Sequence, residues 1–169
     1  MLTTLEMESA ANTVEALQVA TLEEGRIHAN VFRFRASSEV GFRLWRWAKF
    51  RDGWRRAQLF QAADLEKISL LFEQLDASAS VPEPQDSKPI ALEFREYVPT
   101  NLVLTFHHGK VQTFICDPQQ PKPVEPYFVI RKTAEDSSRT ASWFLTSDLS
   151  DLRKSLDQVR SWYQQLSHN

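Results

Sequence analysis

Cysteine is almost missing from this chain. Cys116 stands alone among 169 residues, so no internal disulfide can form and a reducing, cytoplasm-like intracellular compartment is expected. Glycine is nearly as scarce: Gly25, Gly41, Gly53 and Gly109 are all there are. They cannot build a phosphate-cradling loop, and no Gly-x-Ser-x-Gly elbow occurs, which removes the common nucleotide-binding and acyl-transfer motifs. No apolar run is long enough to span a bilayer, and no basic start followed by an apolar stretch marks a signal peptide. His107-His108 and Cys116-Asp117 lack the close pairing of zinc ligands. Glu135-Asp136 reads as a solvated loop, and Asp148 with Asp151 as a helix start. No catalytic residue, metal or cofactor is expected, and the chain reads as a non-enzyme.

What is present is ordinary in bulk and uneven in detail. Apolar residues make up 42% and charged residues 25%, the balance of a globular protein able to bury a core, as one domain or two small ones. The net charge of −2 conceals a strong asymmetry. Residues 1–25 carry −5 with no Lys or Arg, residues 26–56 carry +7, and the remainder carries −4. A basic, aromatic block therefore lies inside an acidic chain.

The stretch Gly41–Phe60, most of it inside that block, organises the chain. Asp52-Gly53 between two aromatic and basic runs signals a two-residue hairpin turn. This register pairs Arg51 with Trp54, Lys49 with Arg56, Trp47 with Gln58 and Trp45 with Phe60. With a period of two, Phe42, Leu44, Ala48 and Phe50 form a core face. Arg43, Trp45, Trp47, Lys49 and Arg51 form an aromatic, cationic one, and Arg46 falls awkwardly on the core side. The preceding run, 26–35, alternates as an antiparallel strand. With Phe32 and Phe34 taken as core, Arg33 and Arg35 extend the Trp45/Trp47 face. Residues 5–24, ended by Gly25 as a C′ residue, read as a helix.

After Phe60 the period changes. Leu65, Ile68, Phe72 and Leu75 with Asp64 as N-cap predict a helix over 64–77. A proline-containing linker follows at 78–89. Strands are expected at 90–97, 101–107, 110–116, 127–132 and 140–145, with a turn at His108-Gly109. A helix over 148–166 carries Leu149, Leu152, Leu156, Val159, Tyr163 and Leu166 as one stripe.

An internal repeat underlies this order. A shift of 84 brings Ala57 onto Ala141, Phe60 onto Phe144, Asp64 onto Asp148, Leu65 onto Leu149 and Gln74 onto Gln158. The fold class is thus α+β. Two antiparallel sheet-plus-helix modules (β-β-β-α at 26–77, then β-β-β-β-α at 90–169) follow a helical or disordered acidic segment, 1–25.

Alternating aromatic and basic strands, then a helix entered through an Asp-Leu step, twice over, resemble the purine-rich-element-binding (PUR) repeat and the similar Whirly layout. The likeness spans Val31–Leu75 and Tyr127–Gln165. The first module has three visible strands where that repeat has four, and no Whirly-type lysine-glycine signature is found. The resemblance implies a curved sheet backed by helices that binds single-stranded DNA or RNA by stacking and basic side chains, often as a dimer.

The candidate nucleic-acid surface is Arg33, Arg35, Arg43, Trp45, Trp47, Lys49, Arg51, Trp54 and Arg56. Bases stacked on such indoles gain about 1–3 kcal/mol each. The alternative is a protein-interaction or assembly adaptor that docks the same face on an acidic partner. Leu152, Leu156, Val159, Trp162 and Tyr163 are the candidate homodimer interface. The acidic 1–25 segment is a candidate internal competitor for the basic face.

Overall fold

Alternation turns the Ile27–Phe34 run into a strand with two unlike faces, and its neighbours follow in a meander. The computed structural model describes residues 7, 15–47, 53–79, 90–95, 102–108, 126–132 and 140–167. Strands β1 (Ala16–Glu24), β2 (Ile27–Phe34), β3 (Val40–Arg46) and β4 (Leu59–Gln61) form sheet A. A short helix α1 (Gly53–Arg56) lies between β3 and β4, and helix α2 (Asp64–Ala79) follows. Strands β5 (Ile90–Arg95), β6 (Leu102–His108), β7 (Tyr127–Lys132) and β8 (Ser142–Leu145) form sheet B. A 3₁₀ turn at Thr146–Asp148 then leads into α3 (Leu149–Ser167). Both sheets are antiparallel, with strand order equal to chain order. Among the described residues no helix is long and apolar enough to cross a membrane.

Three sequence expectations are corrected here. The acidic segment 1–25 is not helical or disordered throughout: residues 16–24 are the first strand of sheet A, and residues 1–6 and 8–14 lie outside the described residues. The φ of +58° at Gly25 serves a hairpin turn into β2 as readily as it would a helix end. Pairing with β1 also satisfies an edge of β2 that three strands would leave open. Sheet A therefore has four strands; of the segment expected to compete for the basic face, residues 16–24 form β1 and Met7 packs with Phe32, Phe34 and Leu59.

The Asp52-Gly53 hairpin does not form either. β3 stops at Arg46, and Gly53 opens α1, so Gly41, Phe42 and Arg43 pair with Gln61, Phe60 and Leu59. Core matching decides the register: Phe42 and Phe60 meet at 5.4 Å between ring centres, whereas the two-residue turn would set Phe60 across from Trp45, on the opposite face. Phe32 and Phe34 also change sides. β2 turns Ile27, Ala29 and Val31 into the main core, and Phe32 and Phe34 pack with Met7 and Leu59 on the outer face.

The inner faces of both sheets and both long helices build one core. α3 lies on β1, β2 and β3, whereas α2 lies against β5 and β6. Each sheet is thus covered mainly by the helix from the other half of the chain. Leu152, Leu156 and Val159 are at most 2% exposed, and each contributes about 1.5–3 kcal/mol by burial inside this chain. The stripe assigned to a homodimer interface is therefore consumed internally. Trp162 and Tyr163 pack on the same core, with Tyr163 edge-on to Phe42 at 5.9 Å.

The two long helices start with the same set of bonds. The Asp64 carboxylate accepts the Gln61 N–H at 2.8 Å, and the Asp148 carboxylate accepts the Leu145 N–H at the same distance. Each carboxylate also holds a cation from the third strand of the opposite sheet: Lys132 Nζ lies 2.6 Å from Asp64 and Arg46 Nε 2.9 Å from Asp148. Arg46, misplaced on a core face by its type, is there to meet a buried carboxylate.

Candidate nucleic-acid interface

The register of sheet A sets one row of side chains across its outer face. Glu23, His28 and Trp45 lie opposite one another on β1, β2 and β3, and Thr21, Asn30 and Arg43 form the next row. His28 stacks on Trp45 with ring centres 4.4 Å apart and planes tilted by 35°. The Trp45 indole N–H donates to Asn30 Oδ1 at 2.5 Å, Asn30 Nδ2 donates to Thr21 Oγ1 at 3.5 Å, and Gln18 Nε2 donates to the same hydroxyl at 2.7 Å. This chain of bonds fixes the indole plane. Burial pushes the His28 pKa down, opposed by the Glu23 carboxylate 3.8 Å away.

At the end of β3 the Trp47 N–H donates to the Arg26 carbonyl at 2.7 Å, and the Trp47 side chain is 44% exposed. α1 folds back over β3. A Cβ at Gly53 would stand 3.0 Å from Trp45 Cε3, so glycine permits that close approach. Trp54 comes down on Arg43, whose guanidinium lies 5.5 Å from the Phe32 ring and 5.9 Å from the Trp54 ring. Arg55 covers Trp54 from outside at 5.1 Å. The result is a layered stack of Phe32, Arg43, Trp54 and Arg55, held by cation–π attraction.

Of the nine expected surface residues, Trp45, Trp47, Trp54 and Arg56 gather at this end of sheet A. Arg43 belongs to the cluster but not to its surface: it is fully buried, with Nε donating to the Ala57 carbonyl at 3.2 Å. Arg33 points to the inner side, paired with Leu17 and Val40, and Arg35 is exposed in the turn after β2. Neither extends the Trp45 face, because Phe32 and Phe34 occupy it. Lys49 and Arg51 lie outside the described residues.

Exposed Arg26 and Arg55 and half-buried His28 belong to the site and were not expected in it. His28 would have been found from the strand alternation had the register been known. The outer face of sheet B was also missed. Tyr127 and Trp143 stack there at 5.9 Å and 20°, in a cluster with Val129, Ala141 and Leu145, and Arg131 is exposed on the same face. Among the described residues no group of three or more His, Cys, Asp or Glu comes together to hold a metal ion. No protein-family model, curated protein or solved structure matches the chain.

Proposed function

We propose that this protein binds single-stranded DNA or RNA, without catalysing a reaction, through the outer face of sheet A in the manner of the PUR and Whirly layouts. The observation that carries the reading is an exposed Trp47 beside the fixed Trp45–His28 pair, flanked by exposed Arg26, Arg55 and Arg56. A flat indole stacks on a base only when that base is free of its own helix stack. Guanidinium groups around it match phosphate in geometry as well as charge. With a net charge of −2, affinity must come from this local patch, so it should fall with salt.

A second reading is an adaptor face for an acidic protein. It is favoured by Trp45 and Trp54 each already having a ring face occupied, by His28 and by arginine. Titration of tryptophan emission with oligothymidylate and with duplex of equal length, at two salt concentrations, separates the two. Quenching by single strands, weaker with Trp47→Ala by about 1–3 kcal/mol, supports the first reading. No retention of single strands at low salt ends it and leaves the adaptor.

A further inference from the structure

The two outer faces meet at one seam, and α1 forms the bridge. Its last residue, Arg56, accepts the Ala141 N–H on its carbonyl at 3.2 Å. Ala141 in turn packs in the outer-face cluster of sheet B with Tyr127 and Val129. Just below, the Ser142 hydroxyl donates to the Leu44 carbonyl at 2.9 Å, so the start of β8 is tied to β3. Arg56 is exposed on the sheet A side of this seam, and Arg131 is exposed on the sheet B side. Val129 is paired with Trp143 in the register, which places Arg131, two residues on, one step from that indole on the same face. Aromatic and cationic groups thus stand on both sides of the seam: Trp45 and Trp47 with exposed Arg55 and Arg56 on one side, Arg131 and Trp143 on the other.

Resting on the single-strand reading above, we propose that one nucleic-acid strand runs from the Trp45/Trp47 end of sheet A across α1 onto Arg131 and Trp143 of sheet B. A short ligand fills only the first part of this path. A longer one adds phosphate contacts at Arg131 and a stacking contact at Trp143.

The test uses the full chain with oligothymidylates of about 5 and about 15 nucleotides, within the range of single-strand site sizes. Arg131→Ala should leave the short ligand unaffected and lower the salt slope of the long one by about 0.7. Trp143→Ala should weaken the long ligand about 5- to 150-fold, again sparing the short one. Because Trp143 stacks on Tyr127, Arg131→Glu serves as a second variant at an exposed position; it should weaken only the long ligand. If Trp47→Ala weakens both lengths while every Arg131 and Trp143 variant matches wild type on both, the path is refuted and the sheet A site stands. If wild type retains neither length at low salt, the single-strand reading itself fails and the path with it.

Discussion

Asp148→Asn is the sharpest probe of how this fold is locked. Asparagine keeps an oxygen for the Leu145 N–H, and it caps helices about as well as aspartate, so the 2.8 Å cap bond survives. The charge does not. Arg46, with its side chain 12% exposed, is left with a neutral partner. Breaking a buried pair costs about 3–5 kcal/mol; the retained neutral hydrogen bond offsets part of this, giving an expected loss of about 2–4 kcal/mol. That is a large share of a stability of about 5–15 kcal/mol. Arg46→Met should cost less, about 1–3 kcal/mol, because the Asp148 carboxylate keeps its backbone donor and the positive end of α3. The double variant should fall short of the sum by about 1–3 kcal/mol. Urea titration followed by tryptophan emission and by far-ultraviolet circular dichroism measures all three, with midpoints shifting and slopes unchanged. A single variant within about 0.5 kcal/mol of wild type, or strict additivity in the double, would refute the idea that the crossed pairs hold the halves together.

Three further outcomes are expected. His28 has a depressed pKa in the folded protein, so its contribution is complete above the ordinary value of 6.5 and is lost as pH falls below it through the folded value; His28→Gln should flatten the fall in urea midpoint over that acid window. Among the described residues the buried Tyr163 hydroxyl has no hydrogen-bond partner, and burial, with the Asp64 charge second, holds it protonated far above the ordinary phenol range; Tyr163→Phe should be neutral or stabilising by up to about 1–3 kcal/mol in the same titration. Arg43→Met should lower stability by about 1–2 kcal/mol through the lost bond to Ala57. It should leave the salt slope of oligonucleotide binding unchanged, because a group without exposed surface releases no counterion.

Helices α2 and α3 and strands β5 to β8 were legible because each shows one clean period, while the strand expected at 110–116 lies outside the described residues; the Asp64 and Asp148 caps were legible because polar residues before an apolar stripe have few other uses. β1 was not, since an exposed edge strand mixes Glu, Thr and Leu with no firm alternation. Asp52-Gly53 misled because local turn chemistry was weighed without the demand that Phe42 and Phe60 share a face. The composition of the site was readable, but the burial of Arg43 was not. An arginine layered between Phe32 and Trp54 looks, in sequence, the same as one in solvent. Nor does any local pattern reveal that α3 covers sheet A, a choice made entirely by tertiary packing.

That exchange of helices has a consequence for synthesis on the ribosome. The chain emerges from its N-terminal end, so sheet A is complete at Gln61, yet the helix that shields its inner face begins only at Leu149. At about 5–20 residues per second, the apolar surface of Ile27, Val31, Phe42 and Leu44 waits several seconds to more than ten for its cover. During that interval the nascent protein offers a half-built hydrophobic layer to holdase chaperones or to its neighbours on the same message. Slowing translation between Gln61 and Leu149 should therefore lower the yield of native protein more than slowing it anywhere before β4.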